Sequence, residues 1–305
     1  MSAIYFDPAL SDDERRQRVY EGDIVILSPS AATRDLIGLA RTMLETAFAP
    51  HDPREIHTYL SAEEVADILT VLKPKFIHHP ECKTLIKQML EEHGADIEKV
   101  YFDVPRLRSS YPGDFLKTGI AFAFHPHRDT WYSAPMCQIN WWLPVYPIES
   151  DNAMGFYPRY FDEPVANNSE VYNYFEWNKT RSDIKKFTKK DTRVQPTPQQ
   201  ALEPVTVRFL PPPGGTIVFS GAQLHESVPN TTDLARYSID FRTVHLDDVL
   251  ARDGARNIDS RCTGTTMRDY LRASDFEHLP EKAIRLYDDG TELDNDILYF
   301  GDRMS

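Results

Sequence analysis

The run Phe124-His125-Pro126-His127-Arg128-Asp129 alternates three side chains that can hold a metal or move a proton. At the end of a strand, His125, His127 and Asp129 would share one face, because side-chain direction repeats every two residues. A His-x-carboxylate pair joined by a distant histidine is the two-His-one-carboxylate set that holds non-haem iron(II). Three protein ligands leave three positions open for a chelating cosubstrate and O₂. His245-Leu246-Asp247 and His79-Pro80-Glu81 offer the same spacing, so the first pair is distinguished by its company downstream.

That company begins with His225, which follows the apolar run Thr216–Ser220, and continues with Arg236-Tyr237-Ser238. Pro229-Asn230-Thr231-Thr232-Asp233 supplies a turn between them. An antiparallel hairpin centred near residues 230–231 would set His225 opposite Arg236, with Ser238 on the face of Arg236. A dicarboxylate chelating the metal at one end would then meet the guanidinium at the other, whose planar fork pairs with a carboxylate. The Ser238 hydroxyl would add a third donor. Beyond His245-Leu246-Asp247 the one further histidine is His278.

With these residues in view, His127-x-Asp129, His225 and Arg236-x-Ser238 resemble the iron(II)/2-oxoglutarate-dependent dioxygenases. The texture is most similar to the phytanoyl-CoA dioxygenase-like branch. Asp151-Asn152-Ala153-Met154-Gly155-Phe156-Tyr157-Pro158 resembles that branch's segment after the fourth core strand. Gly214–Phe219 with His225-Glu226-Ser227-Val228-Pro229-Asn230 resembles its strand-to-second-histidine segment. The resemblance covers about residues 99–245 and only loosely the flanks. It implies a double-stranded β-helix in which His127, Asp129 and His225 hold Fe(II). It also implies that 2-oxoglutarate chelates the metal and pairs with Arg236 and Ser238. O₂ would decarboxylate the cosubstrate to succinate and CO₂ while a substrate C–H bond is oxidised. Halogenating members of the family have Gly or Ala where the carboxylate ligand would be. Asp129 therefore favours hydroxylation or another C–H oxidation.

Other residues near the motif have readings of their own. His125 is expected to be a hydrogen-bonded strand-end histidine, and Arg242 either touches the cosubstrate or pairs with Asp240. Trp131 and Tyr132 follow the ligand run, and Tyr157 and Arg159 follow a strand. These four are the candidates for the substrate pocket. Cys137, on an apolar strand, reads as a small core residue.

The elements that must position these groups differ along the chain. Residues 1–98 read mainly as helix. Ser61-Ala62-Glu63-Glu64 is a capping box before Val65, Ile68, Leu69 and Leu72. Ser30 or Thr33 starts a second helix, and Pro80 to Gly94 has the Pro-first, Gly-last asymmetry of a third. Asp23–Leu27 reads as a strand. From residue 99 to 245 the pattern is of short aromatic and β-branched strands: Lys99–Val104, Thr118–Phe124, Met136–Val145, Pro204–Phe209, Thr216–Ser220 and Arg236–Val244. Many short strands divided by turns predict a barrel or two packed sheets. The fold class expected is mainly β with flanking helices, around a double-stranded β-helix (jelly-roll, cupin-like) core in a single domain spanning 1–305. Residues 162–203 form an irregular insertion whose Lys179–Arg193 stretch holds seven basic and two acidic residues. It is a solvated loop, a lid over an anionic substrate, or a docking loop for a partner. Residues 246–305 form a polar C-terminal extension.

Composition excludes several function classes. The 305 residues carry 34 Lys+Arg and 47 Asp+Glu, a formal charge of -13, which argues against general nucleic-acid binding. The acidity lies in the outer thirds, while residues 101–200 carry 12 basic and 11 acidic residues, so the net charge reports on solubility and not on a cationic substrate. No apolar stretch reaches membrane-spanning length, and the first residues lack the pattern of a signal peptide. Cys82, Cys137 and Cys262 are widely spaced and form neither a disulfide framework nor a CxxC zinc site. The expectation is a soluble cytoplasmic oxygenase acting on a small molecule. A metal enzyme of the same barrel that does not use 2-oxoglutarate, and a non-catalytic binding barrel, are the alternatives.

Overall fold

The computed structural model describes residues 2–117, 119–121, 125–179, 195–205 and 207–288. The chain opens with β1 (Ile4–Phe6), α1 (Asp12–Tyr20), β2 (Ile24–Leu27), α2 (Ala31–Phe48), α3 (Ala62–Ile77) and α4 (Pro80–Glu92). Local chemistry sets the helix ends. Ser61 caps α3 and Glu64 answers it, the Glu64 N–H donating to Ser61 Oγ at 3.3 Å. Ser30 caps α2 in the same reciprocal way with Thr33. Pro80 opens α4, and Gly94 follows its end at φ +75°, a conformation that costs glycine little.

The strands after residue 98 are β3 (Val100–Phe102), β4 (Arg106–Ser110), β5 (Ile139–Pro144) and β6 (Met154–Phe156). They continue, after α5 (Tyr174–Lys179), with β7 (Val207–Phe209), β8 (Thr216–Ser220), β9 (His225–Ser227) and β10 (Arg236–His245). The chain closes through α6 (Leu246–Ala251), β11 (Leu271–Arg272) and α7 (Glu281–Ile284). An eight-stranded sheet runs β1-β2-β8-β5-β10-β3-β11, with β4 also paired to β10. Only β1 and β2 in it are parallel. A second, antiparallel sheet of three strands runs β7-β6-β9. With seven α-helices among the described residues the protein is a mixture of α and β, not mainly β. The helical first third is too large to be mere flanking.

The side-chain period of two divides the large sheet into unlike faces. Leu107, Trp141, Leu143, Val218, Tyr237, Ile239 and Phe241 form one face and share a hydrophobic cluster with Leu36, Leu44, Leu69, Ile86 and Leu90 of α2, α3 and α4. Burying such a side chain contributes roughly 1.5–3 kcal/mol, so this layer fixes the sheet to the helices. The opposite face looks toward the small sheet. Near β2 and β8 it is apolar, with Ile24, Ile26, Trp142, Ile217 and Phe219 packed on Met154, Phe156 and Phe209. Along β4 and β10 the same parity presents Arg106, Arg108, Ser110, Arg236, Ser238, Asp240 and Arg242, as the register requires. A charged face between two sheets is expensive unless it serves a site.

Two expectations about elements change, and one falls outside the described residues. Of Thr118–Phe124 only Gly119–Ala121 is described, and it is a 3₁₀ turn, not a strand. The Lys179–Arg193 stretch lies outside the described residues except for Lys179, as does most of the acidic tail. β9 and β10 are not a hairpin: β9 pairs with β6 in the small sheet, and β10 pairs with β4, β5 and β3 in the large one. The turn chemistry at Asn230 is spent elsewhere. Its amide donates to Ser110 O at 3.0 Å and Leu234 O at 2.9 Å, which anchors a crossover between sheets.

Candidate metal centre

His127, Asp129 and His225 come together, one ligand atom from each lying within 4.8 Å of the others. They do not do so from the end of one strand. His127 and His225 form an isolated antiparallel bridge, and Asp129 begins a 3₁₀ turn, Asp129–Tyr132, that folds its carboxylate back over the pair. The imidazole centroids are 4.4 Å apart. Between the two ligands of this loop, Arg128 points the other way and is almost fully buried. It pairs with Asp259 at 3.0 Å and donates to the carbonyls of Ala222, Tyr160 and Glu163.

The two histidines are oriented alike. His127 Nδ1 lies 2.8 Å from the carbonyl of His125, and His225 Nδ1 lies 2.9 Å from that of Gln223. A carbonyl only accepts, so each Nδ1 carries the proton and each Nε2 keeps its lone pair, the tautomer a metal ligand needs. Burial, then the neighbouring His127, pushes His225 down to about 4, which keeps it neutral at physiological pH. For Asp129, burial opposes ionisation, but its polar surroundings, the Arg242 guanidinium among them, outweigh it and hold the carboxyl well below its usual range. With the proton on Nδ1, the Nε2 lone pair of His127 faces Asp129 Oδ1 at 3.5 Å. Two electron-rich atoms converging there, with His225 beside them, fit a divalent cation.

The centre opens on a cavity of about 320 Å³ lined by His127, Asp129, Tyr132, Asn140, Trp142, His225, Ser227 and Arg236, among others. Arg236 reaches it across the space between the sheets. Its guanidinium donates to Asn152 O at 3.1 Å and Ser227 Oγ at 3.3 Å, and lies 5.6 Å from the Trp142 ring. Among the described residues no carboxylate pairs with it, its Nε has no partner, and burial pushes it down to about 10. A buried cation without a counter-charge fits the far carboxylate of a dicarboxylate. Ser238 shares the face of Arg236, as parity predicts, but is outside the cavity lining. The serine that touches Arg236 there is Ser227, two residues after His225.

The other expected residues divide. Tyr132 lines the cavity, its ring edge-on to His127 at 5.5 Å. Trp131 points away within the same turn, its indole donating to Asp259 at 2.8 Å. The Tyr157 hydroxyl donates to Glu226 at 2.8 Å in a cluster with Trp131 and Tyr160. Arg159 is exposed and pairs with Glu163 and Glu203. None of these three lines the cavity. The His125 ring bonds to Pro196 O at 2.7 Å, and its contribution to the centre is its carbonyl. Arg242 lines the cavity but is committed to Asp103 at 3.0 Å, with Asp240 at 3.7 Å. The Cys137 thiol is buried and pushed up to about 12, which makes it inert.

Several lining residues carried no motif. Lys73 of α3 donates to Ile120 O and, at 3.4 Å, to Ser109 Oγ. Burial, then Arg108, pushes it down to about 7. Tyr172, Tyr174 and Trp177 come from the described part of the insertion and line the cavity with Tyr132. The only signal for them was aromatic density.

The chain resembles the iron(II)/2-oxoglutarate-dependent dioxygenases and carries their His–Asp–His triad. Neither a protein-family profile nor a curated protein matches the sequence. Among solved structures the chain is similar to EvdO2 from Micromonospora carbonacea var. aurantiaca complexed with 2-oxoglutarate, at 14% identity and a TM-score of 0.46, over 78% of this chain and 92% of that one. It is similar to the epimerase SnoN in complex with Fe3+, alpha ketoglutarate and nogalamycin RO, at 14% identity and a TM-score of 0.38, over 82% and 98%. It is also similar to the non-heme alpha ketoglutarate dependent carbocyclase SnoK, at 11% identity and a TM-score of 0.39, over 82% and 95%. Among the described residues no helix is long and apolar enough to cross a membrane.

Proposed function

We propose that this protein is an iron(II)/2-oxoglutarate-dependent oxygenase with a double-stranded β-helix core, and that it oxidises a C–H bond of a small molecule in specialised-metabolite biosynthesis. The reading takes residues 1–305 as one oxygenase domain, with 99–245 as its core. The observation that carries it is a pair of histidines and a carboxylate converging in a cavity that also holds Arg236, a buried cation that no carboxylate pairs with among the described residues.

His127, Asp129 and His225 would hold the iron, and Arg236 with Ser227 would hold the distal carboxylate of 2-oxoglutarate. Lys73 is also on the cavity wall. When bound, the metal and cosubstrate supply the oxidising power, with succinate and CO₂ as coproducts. The chain's own residues do the rest. The carbonyls of His125 and Gln223 hold the imidazole tautomers, Arg128 anchors the ligand loop, and Tyr132, Tyr172, Tyr174 and Trp177 wall the cavity from water. The presence of Asp129 favours hydroxylation, ring closure or desaturation over halogenation.

The test is succinate formation from 2-oxoglutarate with Fe(II) and ascorbate, with and without candidate metabolites, beside direct 2-oxoglutarate binding. Neither succinate nor cosubstrate binding under any condition would sink the reading. Metal binding without 2-oxoglutarate binding would favour a cupin-like enzyme of different chemistry.

A further inference from the structure

The Asp129 carboxylate has two oxygens with different surroundings. Oδ1 faces His127 Nε2 at 3.5 Å, while Oδ2 accepts a hydrogen bond from Gln138 Nε2 at 2.8 Å. Gln138 is fully buried immediately before β5, nine positions beyond Asp129. The second hydrogen on its Nε2 goes to Asn140 Oδ1 at 2.8 Å, and its Oε1 accepts from the Tyr270 hydroxyl at 2.8 Å. All three hydrogen bonds agree on one orientation of the amide. Turned over, it would set Oε1 against the oxygens of Asp129 and Asn140. Tyr270 is itself fully buried and comes from the C-terminal extension, 132 residues away in sequence. The fold leaves room for this amide at Gly221, where a Cβ would stand 3.1 Å from Gln138 Nε2.

We propose that Gln138, clamped by Tyr270, is a positioning residue that reserves Asp129 Oδ2 and so makes Asp129 a one-oxygen ligand. The proposal rests on the metal-centre reading above. Three protein ligand atoms and a two-atom cosubstrate chelate leave one of six positions for O₂. A carboxylate free to rotate could supply both oxygens and fill that position. Gln138 prevents this by giving Oδ2 a directed donor. Asn140, on the cavity wall, locks the amide from the other side. No proton or electron moves in this arrangement; its effect is on coordination number.

Nitric oxide is a suitable probe, because it binds ferrous centres in place of O₂ and gives a high-spin paramagnetic signal. The anaerobic Fe(II) protein, with and without 2-oxoglutarate, would be titrated with nitric oxide beside its Gln138→Leu and Tyr270→Phe variants, with iron content and thermal midpoint recorded for each. Gln138→Leu keeps side-chain volume but cannot donate. Expected is at least a tenfold loss of nitric oxide affinity per bound iron in Gln138→Leu, and a smaller loss in Tyr270→Phe, where Gln138 still donates. Nitric oxide affinity within twofold of wild type in both variants would overturn the proposal, whatever their thermal midpoints. If Gln138→Leu does not fold, the Tyr270→Phe result decides. Failure of the wild type to bind 2-oxoglutarate would sink the function proposed above, whereas bound 2-oxoglutarate with unchanged nitric oxide affinity in both variants would sink this proposal alone.

Discussion

His127 and His225 exchange both of their backbone hydrogen bonds, the N–H of His127 donating to His225 O at 2.9 Å and the N–H of His225 to His127 O at 3.0 Å. Two histidines 98 residues apart in sequence are thus neighbours through the main chain before any metal is considered. The centre is preorganised, and its side chains need not move to converge.

Removing Asp129 or His225 should therefore abolish metal retention without unfolding the chain. In Asp129→Ala and His225→Ala, Fe(II) or Co(II) titration should show affinity lost by two orders of magnitude or more, and succinate formation should vanish with it. Far-ultraviolet dichroism should be unchanged. Retention of stoichiometric metal by either variant would show that the ligands lie elsewhere.

Arg236→Met tests the cosubstrate end. Losing one partner of a buried charged pair costs about 2–5 kcal/mol, so the dissociation constant for 2-oxoglutarate should rise at least about thirtyfold. Arg236 lacks a carboxylate partner among the described residues, so the ligand-free variant should melt no lower than wild type. Calorimetric titration and thermal unfolding check both halves. An unchanged 2-oxoglutarate affinity would remove Arg236 from the site.

Asp259 holds the ligand loop through Arg128 and through the Trp131 indole. Asp259→Ala would strand the buried guanidinium, at a cost of about 3–5 kcal/mol. Chemical denaturation should show that loss, and metal affinity should fall with it. A loss below about 1 kcal/mol would mean the carbonyls around Arg128 suffice, as a hydrogen bond to a charged group is worth about 1.5–3 kcal/mol.

Lys73 predicts a pH dependence of stability. Its folded pKa of about 7 lies below the ordinary 10.5, so between these values the unfolded chain binds the extra proton. Stability should then rise as pH increases from about 7 towards 10.5, and the burden of the charged lysine is fully present below that window. In Lys73→Met this part of the slope should disappear, and the variant should be the more stable at pH 7. Parallel pH–stability curves for the two proteins would contradict the burial argument.

Much of the framework was legible because it is encoded locally. The capping box at Ser61, a helix starting at Ser30 or Thr33, the Pro80–Gly94 helix, and strands β8 and β10 follow from spacing and propensity within a few residues. So did the identity of the triad. What was misread depends on partners far away. The turn at Pro229-Asn230 looked like a hairpin because its local chemistry suits one. Asn230 bonds instead to Ser110, a partner no local pattern reveals. Tyr132 lines the cavity, while three of the four substrate candidates are drawn off its wall by distant partners: Trp131 by Asp259, Tyr157 by Glu226, and Arg159 by Glu163 and Glu203.

By itself, the sequence determined which groups could do chemistry. His127, Asp129, His225 and Arg236 are few, of telling type, and suitably ordered along the chain. Only the tertiary structure decided how they meet. The two histidines join through an isolated bridge, Arg236 arrives from the opposite sheet with the Ser227 hydroxyl beside it, and Gln138, held by Tyr270, donates to the second oxygen of Asp129. Spacing controls the direction of side chains only within one element. Which sheet an element joins depends on burying apolar faces together, and that choice is made over the whole chain.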